Sequence, residues 1–180
     1  MRRGQHERSL RRLTVRRKPG EPSRGVLQIG SLTLPVALGR GGVKANKREG
    51  DGATPRGCFR LKRLWWRADR HPRPLTMLPA RRIAADDAWC ENPADRSYNR
   101  PVKLAPQSPA DRLARADTLY DFIVEIDHNA RPRVAGRGSA IFIHIARPGF
   151  APTAGCIALT MPSLRRLLAR VGPRTRIRVD

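Results

Sequence analysis

The stretch Ile141–Leu159, IFIHIARPGFAPTAGCIAL, decides how the rest of the chain is read. The apolar, β-branched run from Ser139 to Ala146 has the pattern of a buried strand, and Gly155-Cys156-Ile157-Ala158-Leu159 reads as a second strand entered through a flexible turn. His144 sits at the end of the first run, and Cys156 follows twelve positions later, directly behind Gly155. Adjacent strands would let the imidazole and the thiol face each other. A thiol is a strong nucleophile near neutral pH only when something favours its thiolate, and a neighbouring imidazole does so by taking the proton. Gly155, lacking a Cβ, lets a substrate carbonyl approach the backbone, and lets amides around Ala154 to Cys156 point at a developing oxyanion. The competing reading is structural, because cysteine is among the most buried residue types and a strand-ending histidine is often an interior side chain.

Around this stretch the signal is mostly β. Leu13 to Arg17, Val26 to Ile29 and Leu32 to Leu38 are short strand candidates separated by Pro and Gly, with a hairpin turn at Ile29-Gly30-Ser31-Leu32. Gly39 to Pro55 is a glycine-rich, charged loop. Its Gly39-Arg40-Gly41-Gly42 run lacks phosphate-loop spacing and is read as turn geometry. Cys58 to Trp66 reads as a central strand, Leu119 to Ile126 as a strong strand, and Thr175 to Val179 as the closing one. Met161 to Val171 places Leu164, Leu167, Leu168 and Val171 at helical spacing, with Thr160 as N-cap, Pro162 in the first turn, and Gly172-Pro173 as the stop. The expected fold is therefore mainly β, a β-rich α+β mixed sheet or sandwich with one helix in the C-terminal region packed on the sheet. Residues 1–11 are expected to form a flexible basic arm, and residues 12–180 a single domain.

The net charge is +22 over 180 residues, carried mostly by arginines spread from Arg2 to Arg178. Such charge attracts anionic polymers nonspecifically, but no zinc-finger, helix-turn-helix or aromatic RNA-binding pattern accompanies it. Cys58, Cys90 and Cys156 make an odd set without metal-ligand spacing, so neither a disulfide framework nor a metal is expected. Cys58 is expected to pack quietly; a Cys58–Cys90 disulfide has no support beyond the presence of both residues. No run approaches the roughly 20 apolar residues of a membrane span. The basic N-terminus lacks the apolar core of a secretory or twin-arginine signal.

Two elements, GDGATPRGCF at Gly50 to Phe59 and IHIARPGFAPTAGCIAL, together resemble the L,D-transpeptidase catalytic domain family, the YkuD-like cysteine enzymes of bacterial cell-wall chemistry. The family pattern of histidine, spacer, Ser or Thr, a variable residue, Gly, Cys and an aliphatic residue falls on His144, Thr153, Ala154, Gly155, Cys156 and Ile157. Its TPxGxF element falls on Thr54 to Phe59. The chain departs from many members at Ala154, where they carry a second histidine, and at Ala158, where they carry arginine or asparagine.

The resemblance implies acyl transfer on peptidoglycan stem peptides through a thioester on Cys156. His144 would act as the base, and the Ile145 carbonyl would fix the imidazole tautomer. Neither cofactor nor metal is needed. Thr153, Tyr98 and Asn99 are candidate substrate contacts, as is Arg147 for a substrate carboxylate, against the favoured alternative that it is a solvated loop arginine. Ser139 either bonds locally, which is favoured, or lines the cleft. Trp89, Tyr98 and Asn99 belong to the long, proline-dotted stretch Arg67 to Asp117, which in the family walls the cleft, against the alternative that its aromatics pin the loop to the core. His128, beside Asn129, is read as serving a turn rather than as a second catalytic imidazole. The resemblance implies a periplasmic or envelope location; with no visible signal, a cytoplasmic one stays open. A cysteine carboxypeptidase or amidase using the same residues, and a non-catalytic basic binding protein, are the alternative functions.

Overall fold

The computed structural model describes residues 10–104 and 112–180. Along these residues run strands β1 (Arg12–Lys18), β2 (Glu21–Ile29), β3 (Leu32–Ala37), β4 (Val43–Lys44), β5 (Thr54–Pro55), β6 (Gly57–Trp66), β7 (Ala80–Arg82), β8 (Asp87–Cys90), β9 (Arg100–Lys103), β10 (Phe122–Ile126), β11 (Phe142–Ile145), β12 (Ile157–Leu159) and β13 (Arg176–Val179). One α-helix, α1 (Met161–Leu168), lies between β12 and β13. The fold is mainly β, as the patterning predicts.

Nine strands form one sheet in the order β10-β11-β12-β3-β2-β1-β13-β6-β7, and β10 also pairs with β6, so the pairing returns on itself. Strand β6 allows this closure because it is ten residues long: Gly57 to Arg60 pair with β13, while Leu61 to Trp66 pair antiparallel with β10. The β11–β12 pairing is parallel, setting Ile143 beside Ile157 and His144 beside Ala158.

Side-chain alternation splits the apolar residues between two cores. Leu64, Val124, Ile143, Ile145, Ile157 and Leu159 join a large cluster that also takes in Leu164, Leu167 and Leu168 of α1. The opposite faces of the same strands, Trp65, Ile123 and Phe142, meet Trp89, Leu113 and Cys156 in a second cluster. Strands buried on both faces read as continuous apolar runs, which explains the appearance of Ile141 to Ile145 in sequence. His144 shares the strand parity of Phe142, and Cys156 that of Ala158, so both point to the side of the second cluster.

Helix α1 starts where expected, with the Thr160 hydroxyl accepting from the Ser163 amide at 3.4 Å and Pro162 in the first turn. Strand β2 is longer at its N-terminal end than the sequence suggests. Pro22 and Gly25 mask it, and Gly25 is needed there because a Cβ would stand 2.6 Å from the Arg16 carbonyl oxygen. Cys58 is exposed rather than packed away, because its position on β6 faces outward, and Cys58 and Cys90 are both free thiols. Of the expected basic arm, Leu10 and Arg11 are tied down: the Leu10 amide donates to Arg170 O at 2.9 Å, and the Thr175 hydroxyl donates to Leu10 O at 2.6 Å. The rest of that arm lies outside the described residues. Among the described residues, no helix is long and apolar enough to cross a membrane.

Candidate active site

The turn before Cys156 is built by its own side chains. Thr153 Oγ1 donates to the Cys156 carbonyl at 2.7 Å and accepts the Gly155 amide at 3.1 Å, closing a small ring around Gly155. Gly155 has φ +139°, and a Cβ there would stand 2.8 Å from Ala53 O and 3.0 Å from Ile141 Cδ1. The glycine is thus required by the close approach of the segment leading into β5. That segment is itself fixed. The Gly39 amide donates to the buried Thr54 hydroxyl at 2.8 Å, and Asp51 accepts from Lys47 Nζ at 2.7 Å and from the Ala53 amide at 2.8 Å. Burial works against the Asp51 carboxylate, but Lys47 and the amides of Arg48, at 3.0 Å, and Ala53 win and hold its pKa at about 2. The Gly39–Gly42 run is turn and close-packing geometry, as expected: a Cβ on Gly39 would fall 2.2 Å from Gly52 O.

Cys156 is 7 % exposed. Its Sγ donates to Ala140 O at 3.2 Å and accepts the Phe142 amide at 3.4 Å. His144, also 7 % exposed, lies two residues further along β11. Its Nδ1 sits 2.8 Å from Ile145 O, a geometry in which Nδ1 carries the proton and Nε2 is left as the basic nitrogen. Burial is the main reason the His144 pKa falls to about 4, with Arg115 and Arg147 pushing the same way, so the ring is neutral at pH 7. The Tyr120 ring packs edge-on against the imidazole at 5.4 Å, and the Arg115 guanidinium lies 5.1 Å from the Tyr120 ring centre.

Cys156 and His144 line one cavity of about 270 Å³, together with Thr153, Ala154, Tyr120 and three arginines, Arg40, Arg115 and Arg147. Arg115 is ion-paired with Asp117 at 2.7 Å. The Arg40 and Arg147 side chains are exposed and make no ion pair or hydrogen bond among the described residues. Two unpaired guanidiniums beside a thiol and a neutral imidazole suit a ligand carrying a carboxylate. Among the described residues, no group of three or more His, Cys, Asp or Glu side chains is placed to hold a metal ion.

Several expected site residues have other work. The Thr153 hydroxyl is committed inside the turn, which makes it a positioning group although it lines the cavity. Gly155 spends its amide on Thr153, and Ile145 donates its amide to Leu119 O at 3.1 Å. Among the amides expected at the oxyanion, Ala154's is without a partner among the described residues. Tyr98, Asn99 and Ser139 are buried away from this cavity. Asn99 accepts from Trp89 Nε1 at 3.0 Å and the Ala140 amide at 3.2 Å, and donates to His128 O and Asn129 O at 3.1 and 2.9 Å. Tyr98 donates to Glu49 and accepts the Gly138 amide at 3.1 Å. Both pin the long segment to the core, for the physical reason that buried polar groups need partners. His128 bonds Arg137 O at 3.0 Å and is outside the cavity. Arg40 and Tyr120 carry no local pattern that marks them as cavity residues; only the return of their loops onto β11 and the Cys156 turn places them there.

A family model described as the YkuD L,D-transpeptidase catalytic domain matches residues 24–179. No curated protein matches the chain. Among solved structures, an L,D-transpeptidase from Mycobacterium smegmatis is similar at 13% identity and a TM-score of 0.43, covering 93% of this chain and 58% of that one. L,D-transpeptidase 3 from Mycobacterium tuberculosis is similar at 11% identity and a TM-score of 0.42, with 93% and 60% covered. The chain thus spans about three-fifths of the length of these two proteins. With the family model matching most of its length, the chain belongs to the L,D-transpeptidase catalytic domain family.

Proposed function

We propose that this chain is a cysteine acyltransferase acting on peptidoglycan stem peptides in the cell envelope. The observation that carries the reading is one cavity holding Cys156, a neutral His144 and the unpaired Arg40 and Arg147. In the proposed reaction His144 Nε2 takes the thiol proton as Sγ attacks the peptide carbonyl at the L-configured centre of the stem tetrapeptide. The C–S bond forms, and the imidazolium returns the proton to the departing amine as the C–N bond breaks, releasing D-alanine. An acceptor amine then attacks the thioester, its proton passing to His144, and the thiol is regenerated. The Ala154 amide is the candidate oxyanion donor, a group type worth about 3 kcal/mol of transition-state stabilisation. Arg40 and Arg147 would hold a stem-peptide carboxylate.

Intact-mass measurement after exposure to a thiol-directed carbapenem tests the nucleophile: one adduct is expected on the protein and none on Cys156→Ala. An adduct that persists in that variant rejects Cys156. Incubation with a tetrapeptide donor and excess D-amino acid then separates transfer, which gives the exchanged product, from hydrolysis, which gives only the shortened peptide.

A further inference from the structure

A second cavity, of about 480 Å³, lies at the other end of β11 and shares no lining residue with the one that holds Cys156. Five cationic side chains line it, Arg60, Lys62, Arg63, Arg131 and Arg133, against two carboxylates, Glu125 and Asp127. The carboxylates are already committed. Glu125 is buried and pairs with Lys62, with Arg63 Nε at 3.1 Å and with Trp65 Nε1 at 3.2 Å, while Asp127 accepts the Arg60 amide at 2.7 Å. That leaves Arg60, Arg131 and Arg133 without a side-chain partner among the described residues. Nε of Arg133 is fully buried and unsatisfied, and a buried guanidinium nitrogen with no acceptor is costly.

A separate feature of the sheet bears on the same cavity. Arg60 stands in register with Arg176, and Arg176 with Arg12, so three exposed arginines lie side by side across β6, β13 and β1. Like charges directly opposite destabilise a sheet unless an anion sits among them. Arg60 belongs to both the row and the cavity. The apolar and aromatic side chains Leu61, Trp89 and Phe142 also line it.

From these observations we infer that this cavity binds a small organic phosphate, its phosphoryl oxygens held by Arg60, Arg131 and Arg133 and its apolar body resting on Trp89 and Phe142. Three guanidiniums from two separate segments lining one cavity offer more donors than one carboxylate can accept, whereas a phosphate dianion presents three oxygens to guanidinium forks. The volume lies in the range of small-molecule sites, roughly 300–1,000 Å³. The inference does not depend on the acyl-transfer reading.

Calorimetric titration with phenyl phosphate and with inorganic phosphate, at one fixed low ionic strength, tests it on the unaltered protein and on Cys156→Ala. One site is expected in both proteins, with phenyl phosphate binding more tightly than inorganic phosphate. Arg131→Gln and Arg133→Gln are each expected to weaken phenyl phosphate at least tenfold, with Arg166→Gln on the exposed face of α1 changing it less than twofold. Circular-dichroism melts identify a variant that fails to fold, in which case the exposed Arg131→Gln alone decides. Absence of binding, equal affinity for the two probes, several equivalent sites, or equal losses from Arg131→Gln and Arg166→Gln would each overturn the inference, the last two by showing only diffuse attraction to a basic protein. Because the Cys156→Ala protein is titrated in parallel, failure here leaves the thioester test untouched, and the reverse holds too.

Discussion

Replacing His144 with glutamine should change how stability depends on pH, and the size of the change follows from the burial of the ring. The pKa of the folded imidazole lies at about 4 against 6.5 for an unconstrained histidine, with burial the main cause and Arg115 and Arg147 adding to it. The folded value is the lower one, so as pH falls the unfolded chain takes the proton first. The neutral ring's contribution is complete above pH 6.5, drains away between pH 6.5 and 4, and levels off below that. A gap of about 2.5 pH units at 1.36 kcal/mol each amounts to about 3 kcal/mol. Denaturant melts of the protein and of His144→Gln at half-unit steps from pH 8 to 4 should show a stability difference that is constant above pH 6.5 and shifts in favour of the variant by about that amount on acidification. His128, whose pKa is also lowered chiefly by burial, and Asp51 and Asp117, whose pKa values are lowered too, titrate in both proteins, so most of their contribution cancels in the difference. A difference curve that stays flat from pH 7 to 4 would falsify the claim that His144 is buried and neutral. On the acyl-transfer reading, the acid limb of kcat/KM should lie near pH 4 rather than 6.5, because that limb reports the base in the free enzyme.

Gly155→Ala should lower stability by about 2–3 kcal/mol, since its Cβ meets Ala53 O at 2.8 Å in a backbone conformation that L residues avoid; a melt within a few tenths of the parent's stability refutes the close-packing account. Thr153→Val removes the bonds to the Cys156 carbonyl and the Gly155 amide and should cost about 1–2 kcal/mol together with most of the carbapenem acylation rate, while Thr153→Ser retains both; a valine variant that acylates normally shows that the turn holds without the hydroxyl. Arg147→Ala should leave the melt unchanged and raise KM for the tetrapeptide donor about tenfold with little change in kcat, as expected for a lost charge-assisted contact made equally before and during reaction. A fall in kcat alone would contradict a binding role.

The strands that carry the cavity were legible in the sequence because they are buried on both faces, and Ile141 to Ile145, apart from His144, and Ile157 to Leu159 therefore carry apolar runs. Helix α1 was legible because its cap, its first-turn proline and its leucine spacing are all local signals. The placement of Tyr98 and Asn99 was not legible, for the opposite reason. An aromatic and an amide in a long segment look alike whether they face a ligand or close a polar network, and only the partners, Glu49, Gly138, Trp89 and Ala140, tell the two apart. The closure of the sheet was hidden as well, because β6 and β10 are separated by the whole of the Arg67–Asp117 stretch and nothing local to either strand specifies the other.

The origin of the charge in the cavity sets this chain apart from the pattern it resembles. Many members of the family carry an arginine or asparagine two positions after the cysteine; here that position is Ala158, buried between His144 on one neighbouring strand and Ala37 on the other. The cations arrive instead from loops. Arg40 comes from the turn bonded to Thr153, through Arg40 N to Thr153 O at 2.9 Å, and Arg147 stands two residues past the end of β11. A guanidinium rooted in a strand has its direction fixed by the pleat, whereas one on a loop takes its position from whatever holds the loop. For Arg40, the holding group is the same Thr153 turn that orients Gly155 and Cys156. On the acyl-transfer reading, one short segment therefore sets both the nucleophile and a carboxylate clamp, and loosening Thr153 should disturb binding and chemistry together rather than either alone.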